Sequence, residues 1–233
     1  MAYPARLISN KCRVKAHYQV ELGNEKFSLI DLNNQESGMM SSHVFKDNIF
    51  PRHVSDVMGL MHMMVFNGTD GEEHWDTFLT HEQKECVALG LAQYYQCEHC
   101  IEYHTKALCR LGKVEQEALS RNMNSMILFL RTDVSRISES EKLRWMQAWQ
   151  EFALKVSLKR ADKATPYLIG LAIGMARDDE FLIQFCGREV KNIFTEMGIE
   201  PRLAIGELES VVIFMKAAAS KNRIVPKIEQ LFV

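Results

Sequence analysis

The chain has 233 residues, of which 47% are hydrophobic and 25% are charged, the balance of an ordinary globular protein with one large domain or two small ones. A formal net charge of −2 provides no basic surface that would indicate nucleic acid or an acidic membrane as a partner. No apolar run approaches the roughly 18 residues of a membrane span, and the N-terminus MAYPARLISNKCRVK lacks the apolar core of a secretory signal, so we expect a cytoplasmic protein.

The first 50 residues predict an extension that contains one small β-hairpin. The run CRVKAHYQVEL, residues 12–22, is rich in β-branched and aromatic residues with partial alternation. Gly23-Asn24 then supplies a turn before a second extended run, KFSLIDL. We expect this hairpin to serve in packing or subunit contact.

The chain beyond residue 50 predicts helices. Apolar residues recur at helical spacing over about 53–67. Thr80 and Gln83 form a capping box that opens a helix to about residue 95. A further helix begins near residue 97 and stops at Gly112, a residue typical of the C′ position.

Five more helices are predicted in the remainder of the chain. The first has helical periodicity over about 114–131, the second opens with a capping box of Ser138 and Glu141, and the third starts at Thr165-Pro166. The fourth is capped by Asp178 and ends at Gly198, and Pro201 opens the last, which runs to about Ser220. The sequence therefore predicts an all-α helical bundle with a small N-terminal β-hairpin. We divide it into an extension (1–50), a redox half (51–132) and a second helical half (133–233).

A degenerate copy of the first half is one interpretation of the second helical half. Residues 100–112 (CIEYHTKALCRLG) align with residues 186–198 (CGREVKNIFTEMG), so that a cysteine and a closing glycine coincide. In this alignment Ile183 replaces the first cysteine of the redox half and Val190 replaces its histidine. Chance similarity between two amphipathic helices is the alternative explanation.

One stretch concentrates residues that carry redox chemistry. Cys97 and Cys100 form a C-x-x-C, with His99 between them and His104 four residues after the second cysteine. Glu85 lies twelve residues before the first cysteine. The pattern indicates a dithiol redox site that has its own proton-handling groups.

Helical geometry brings three of these groups to one face. At about 100° per residue, His104 returns to within roughly 20° of Cys97, and Cys100 lies about 60° to the side. Cys97 is expected in the first turn, where free N–H groups and the helix dipole stabilise a thiolate. Glu85 joins this face only if the two helices fold back on one another, and its carboxylate would then relay protons.

Other interpretations of the two cysteines remain open. A C-x-x-C beside a histidine also suits zinc, with Glu85 or His81 as a further ligand. The pair could also be purely structural. The remaining cysteines (Cys12, Cys86, Cys109 and Cys186) stand alone in the sequence and are expected to behave as small apolar residues.

The spacing of Glu85, Cys97, Cys100 and His104, followed by Ala107 and Gly112, resembles the core of the AhpD-like alkylhydroperoxidases of the carboxymuconolactone decarboxylase superfamily. The resemblance covers residues 79–120. It implies an all-α fold, often built from a duplicated helical unit and assembled into dimers, trimers or hexamers. Family members that decarboxylate muconolactone lack the C-x-x-C, so the resemblance disfavours that activity here.

The resemblance also implies a role for each site residue. Cys100 would be the peroxidatic thiolate and Cys97 the resolving thiol. Glu85 and His104 would form the proton relay, and His99 would assist. The implied activity is that of an antioxidant oxidoreductase, a thiol peroxidase or disulfide reductase that acts on hydrogen peroxide or organic hydroperoxides.

The implied partners are a hydroperoxide substrate, a thioredoxin-like or lipoyl-type dithiol donor, and further copies of the chain in a homo-oligomer. No cofactor, metal, nucleic acid or membrane is expected. An alternative function uses the same dithiol as a switch in a redox-responsive binding or regulatory protein, and a structural zinc module is a third possibility.

Overall fold

The computed structural model of the protein describes residues 13–15, 19–22, 25–28, 52–66, 77–112, 116–155 and 163–229. The chain divides into two compact units, residues 1–64 and residues 65–233.

The first unit contains three short antiparallel strands in the order β1-β2-β3, namely β1 (Arg13–Lys15), β2 (Gln19–Leu22) and β3 (Glu25–Ser28). Val20 pairs with Val14 on one side and with Phe27 on the other. The turn predicted at Gly23-Asn24 lies outside the described residues, and the hairpin and its role therefore stay predictions.

Eight α-helices account for most of the rest of the described chain. They are α1 (Arg52–Phe66), α2 (His81–Tyr95), α3 (Glu98–Gly112), α4 (Gln116–Leu130), α5 (Glu139–Lys155), α6 (Thr165–Arg177), α7 (Glu180–Glu196) and α8 (Pro201–Glu229), with a 3₁₀ turn at Val134–Arg136. The described residues of the second unit contain no strand, which confirms the predicted all-α fold there.

Helix α2 is the centre of the second unit. It packs against α3, α4, α6 and α8, and every residue from Gln83 to Gln93 is buried. Its N-terminus has the predicted capping box: the Thr80 hydroxyl accepts from the Gln83 N–H, and the Gln83 side chain accepts from the Thr80 N–H. A helix surrounded on all sides holds its side chains in fixed positions, which suits a site that needs defined geometry.

Lys84 is a buried charged residue at the start of α2, and its partner comes from α8. Lys84 lies 3.6 Å from the Glu207 carboxylate of α8. The same carboxylate accepts hydrogen bonds from the N–H groups of Phe78 and Leu79, at 3.1 and 2.9 Å. Glu207 thus joins α8 to the segment that leads into α2.

The boundary between α6 and α7 corrects one predicted cap. Asp178 adopts the left-handed conformation (φ 58°) and ends α6, with its N–H donating to the Gly174 carbonyl. Asp179 is the cap of α7, since its carboxylate accepts from the Leu182 N–H at 3.1 Å. The sequence alone does not indicate which of the two consecutive aspartates is the N-cap of α7.

The last helix also differs from its prediction. Helix α8 continues to Glu229, nine residues past the predicted end at Ser220. Residues 220–223 are all polar, and Pro226 lacks the backbone N–H that a helix interior uses, so the sequence favours an earlier end. The extension matters because it carries a residue of the candidate site.

The α2–α3 and α6–α7 hairpins share one construction. Each passes through a single left-handed residue, Gln96 (φ 57°) or Asp178 (φ 58°), and one further residue before the next helix begins. These residues are 82 positions apart, whereas the predicted repeat aligns residues 86 apart. The two spacings differ by four residues, which is about one helical turn, so both alignments place the same apolar face in the same position. The sequence alignment is therefore displaced by one turn from the structural one. Whether the hairpins arose by duplication stays a hypothesis.

Candidate active site

The two cysteines lie at the start of α3, immediately after the corner that follows α2. Cys97 and Cys100 form a disulfide, and their Cα atoms are 5.3 Å apart. Both residues are buried. Cys86 and Cys186 are also buried, as expected for small apolar residues, and Cys109 is partly exposed.

Cys97 occupies the capping position of α3, one residue before the first turn in which it was predicted. Its carbonyl accepts from the Ile101 N–H at 2.9 Å, and its sulfur accepts from the Cys100 N–H at 3.4 Å. The sulfur therefore takes the place of a serine or aspartate oxygen at a helix N-cap. Such a position favours negative charge on the sulfur when the disulfide is reduced.

The corner before the cysteines is fixed by backbone and side-chain hydrogen bonds. The Cys97 N–H donates to the Ala92 carbonyl at 3.0 Å. Arg131, which directly follows α4, donates to the carbonyls of Gln93 and Tyr94, at 3.3 and 2.8 Å. These bonds satisfy carbonyl groups at the end of α2 and set the direction in which α3 starts.

Glu85 and His104 form a buried pair beside the cysteines. Helices α2 and α3 do fold back on one another, and Glu85 Oε2 accepts from His104 Nδ1 at 2.7 Å. His104 lies four residues after Cys100, one turn further along the same face of α3. The structure thus places the two cysteines, the histidine and the acid in one region.

The Glu85 carboxylate has a second histidine partner in His81, whose Nε2 donates to Glu85 Oε1 at 3.3 Å. Burial alone would raise the pKa of Glu85, but the charge of His104 and the hydrogen bonds from His104 and His81 outweigh it and lower the pKa to about 2. Glu85 is therefore ionised at neutral pH. The His81 side chain is 18% exposed, so this chain of groups runs from the buried His104 towards solvent.

His99 lies between the cysteines in sequence but does not join the Glu85–His104 pair. It is half-buried, and burial lowers its pKa, with the charge of Glu102 opposing and that of Lys221 reinforcing the shift. The imidazole is therefore neutral at physiological pH. It stands at the edge of the site.

Aromatic rings enclose His104. The centroids of the Phe66 and Tyr103 rings lie 5.5 and 5.0 Å from that of His104, and Tyr103 approaches edge-on at 87°. Phe66 in turn packs edge-to-face on Phe214 of α8. This apolar surround strengthens the electrostatic interaction between Glu85 and His104, because it keeps water away from the pair.

Sequence reasoning missed one residue that contacts the sulfurs. The Asn222 side-chain amide, on the extended part of α8, donates towards Cys97 Sγ at 3.4 Å and Cys100 Sγ at 3.5 Å. Asn222 follows the cysteines by more than 120 residues, and it lies past the predicted end of its helix. A polar residue after Ser220 carries no local signal for such a contact.

No arrangement of three or more His, Cys, Asp or Glu side chains suited to a metal ion occurs within the described residues. In the same part of the chain, no helix combines the length and the apolar character needed to cross a membrane.

Comparison with protein families gives one match. Residues 62–124 match the model of the carboxymuconolactone decarboxylase family, and this segment includes α2, α3 and the four groups Glu85, Cys97, Cys100 and His104. Searches of curated proteins and of solved structures gave no match. The match over residues 62–124 confirms the resemblance of the cysteine and histidine spacing to the carboxymuconolactone decarboxylase superfamily, and this segment of the chain is similar to that family.

Proposed function

We propose that the protein is a thiol peroxidase that reduces hydroperoxides through the Cys97–Cys100 dithiol. The observation that carries the proposal is the position of this disulfide at the start of α3, next to the buried Glu85–His104 pair. A dithiol that cycles between two states needs sulfurs close enough to pair and a group that takes and returns protons. Both requirements are met within two adjacent helices.

His104 is the general base of this proposal. Its Nδ1–H donates to the ionised Glu85, and a base at this position uses the other ring nitrogen, Nε2, whenever the ring has no proton there. Glu85 fixes this tautomer and stabilises the imidazolium that forms when Nε2 takes a proton, as a carboxylate does in other nucleophile–histidine–acid arrangements. His104 then returns the proton to the leaving alkoxide of the substrate.

The cycle balances as follows. The Cys100 thiolate attacks the terminal oxygen of a hydroperoxide, the O–O bond breaks, and the products are an alcohol and a Cys100 sulfenic acid. The Cys97 thiol condenses with the sulfenic acid, forming the disulfide and releasing water. An external dithiol then reduces the disulfide by exchange and leaves as its own disulfide. The assignment of Cys100 as the attacking sulfur follows the AhpD-like family.

Two partner expectations belong to the same proposal. The reductant would be a thioredoxin-like or lipoyl-type dithiol. Its first thiol forms a mixed disulfide with the protein, and its second thiol then resolves that mixed disulfide and releases the reduced protein. The protein would act as a homo-oligomer in the cytoplasm. Its mass in solution tests the first part of that statement, and cell fractionation tests the second.

Reduced protein exposed to cumene hydroperoxide tests the function. We expect wild-type protein to lose two thiols as a single Cys97–Cys100 disulfide, and to consume peroxide continuously when a dithiol is supplied. Cys100→Ser should abolish peroxide consumption. Cys97→Ser should stop after one turnover with a sulfenic acid that dimedone labels.

The matched control is Cys109→Ser, which removes a partly exposed cysteine outside the pair and should retain turnover. Turnover that survives both Cys97→Ser and Cys100→Ser would end the proposal. A sulfenic acid trapped on Cys97 in the Cys100→Ser protein would instead exchange the roles of the two sulfurs.

A redox-responsive binding protein is the second candidate. It is favoured by the contact of both sulfurs with Asn222. Because of this contact, reduction or oxidation of the dithiol would alter the surroundings of α8 as well as those of α3. Partner binding or oligomeric state that differs between reduced and oxidised protein would support it.

A further inference from the structure

The helix that reaches the sulfurs from outside the family segment is α8. Asn222 lies about one hundred residues after the end of the segment that matches the family, and its Nδ2 is 3.4 Å from Cys97 Sγ and 3.5 Å from Cys100 Sγ. An amide nitrogen at these distances donates weak hydrogen bonds to both sulfurs. The opposite orientation of the amide would set its oxygen against the sulfur lone pairs.

A disulfide is a poor hydrogen-bond acceptor, whereas a thiolate is a good one. Hydrogen bonds to ionised acceptors are roughly twice as strong as those between neutral groups. The same amide therefore stabilises the reduced, ionised site more than the oxidised site. The Cys100 N–H, which donates to Cys97 Sγ at 3.4 Å, acts in the same direction.

We propose that Asn222 is a further residue of the dithiol site, whose amide holds the two sulfurs and stabilises the thiolate that forms on reduction. The inference rests on the redox cycling of Cys97 and Cys100 that the proposed function uses. It goes beyond that function because it assigns part of the site to the C-terminal helix.

The redox step fixes the direction of the effect. Reduction adds two electrons and two protons to the disulfide, both supplied by the external dithiol, and gives two thiols. One thiol then loses a proton to become the thiolate that Asn222 stabilises. A donor that favours the thiolate lowers the thiol pKa and makes the reduction potential less negative.

The experiment compares wild-type protein with Asn222→Ala and Asn222→Asp in two measurements that need no peroxide. The first is the pH dependence of alkylation at Cys97 and Cys100, resolved by peptide mass. The second is the fraction of the Cys97–Cys100 disulfide in dithiothreitol redox buffers. Far-ultraviolet circular dichroism reports the folding of each variant.

For Asn222→Ala we expect the thiolate fraction at a given pH to fall about tenfold, a rise of about one pKa unit. The equilibrium with dithiothreitol should shift by a similar factor, which corresponds to a potential about 30 mV more negative. Asn222→Asp should shift both further, since it keeps the size of the side chain but replaces the donor with a negative charge.

Lys216→Ala is the matched control, because Lys216 is exposed on the same helix. It should change neither quantity. If Asn222→Ala does not fold, the isosteric aspartate variant decides the matter. Wild-type values of both thiol pKa and potential in a folded Asn222 variant would overturn the proposal.

The outcome is separable from that of the proposed function. A wild-type protein that consumes no peroxide, while its Asn222 variants shift the thiol pKa and potential, would leave this inference standing and remove the peroxidase. If the protein is a working peroxidase and the Asn222 variants keep the wild-type thiol pKa and potential, the peroxidase proposal stands and the Asn222 inference is removed.

Discussion

Glu85 is a buried carboxylate that two histidines share. His104 contacts one oxygen at 2.7 Å and His81 contacts the other at 3.3 Å. A buried charge of this kind is stabilising only while it is paired and hydrogen-bonded. The residue therefore joins α2 to α3, and in the proposed function the same carboxylate would support proton transfer by His104.

Glu85→Gln is expected to reduce peroxide turnover by about 10²-fold or more, because general acid–base catalysis typically contributes 10² to 10⁴. The glutamine keeps the size of the side chain but cannot stabilise an imidazolium on His104. Steady-state turnover with a dithiol reductant measures the effect. A variant with wild-type turnover would remove Glu85 from the relay.

The same substitution changes how stability depends on pH. The folded pKa of Glu85, about 2, lies below the ordinary 4.5, so the stabilisation is complete above about pH 4.5 and is lost as the pH falls towards 2. It is on the order of 3 kcal/mol. Urea unfolding at several pH values between 3 and 7 measures the free energy of unfolding of both proteins. The excess of the wild-type value over that of Glu85→Gln should become smaller below pH 4.5. A constant difference across this range would contradict the assignment.

The two histidines should differ in their importance. His104→Asn removes the proposed base, and we expect turnover to fall by about 10²-fold. His81→Asn removes only the longer hydrogen bond at the partly exposed end, and we expect less than about a tenfold loss. Parallel turnover assays of the two variants measure the contrast. Equal losses would show that His81 is as essential as His104.

At the scale of single elements, the packing of α6 on α7 leaves no room for a methyl group at Gly170. A Cβ there would lie 2.6 Å from the sulfur of the buried Cys186. We expect Gly170→Ala to lower the free energy of unfolding by about 1–3 kcal/mol, as overpacking does in cores. Urea denaturation measures it.

Gly206→Ala is the matched control, since a Cβ at this exposed position of α8 meets nothing within 4 Å. It should raise the free energy of unfolding by about 0.5–1 kcal/mol, because alanine loses less backbone entropy in a helix. Cys186→Ala should restore part of the loss in the Gly170→Ala protein. A double variant no more stable than Gly170→Ala would show that the sulfur is not the obstacle.

Sequence patterns predicted the elements well where local chemistry decides their ends. The Thr80–Gln83 capping box and the Pro at the start of α6 are local signals, and both helices begin where those signals stand. The choice between Asp178 and Asp179, and the length of α8, depend instead on how α6 turns into α7 and on packing along the whole bundle. A local window does not contain that information.

At the scale of the molecule, the site is assembled from three helices. The spacing of Cys97, Cys100 and His104 on one helix was enough to predict their common face, and the structure brings Glu85 to it from α2. Asn222 of α8 lies more than 120 residues after the cysteines in the chain, and its contact arises only from the packing of α8 on α3. Sequence reasoning therefore found the part of the site that helical periodicity encodes and missed the part that tertiary packing creates.

This assembly predicts which parts of the chain change on oxidation of the dithiol. The disulfide joins two residues three positions apart, so the closed ring is small and the chain-entropy contribution is only about 2 kcal/mol. Since the sulfurs contact α3 and Asn222 of α8, hydrogen exchange should differ between reduced and oxidised protein at the start of α3 and around residue 222. Exchange in α5 and α7 should be unchanged, and so should the oligomeric state. Differences that spread through α5 and α7, or a change of assembly on oxidation, would favour the redox switch over the peroxidase.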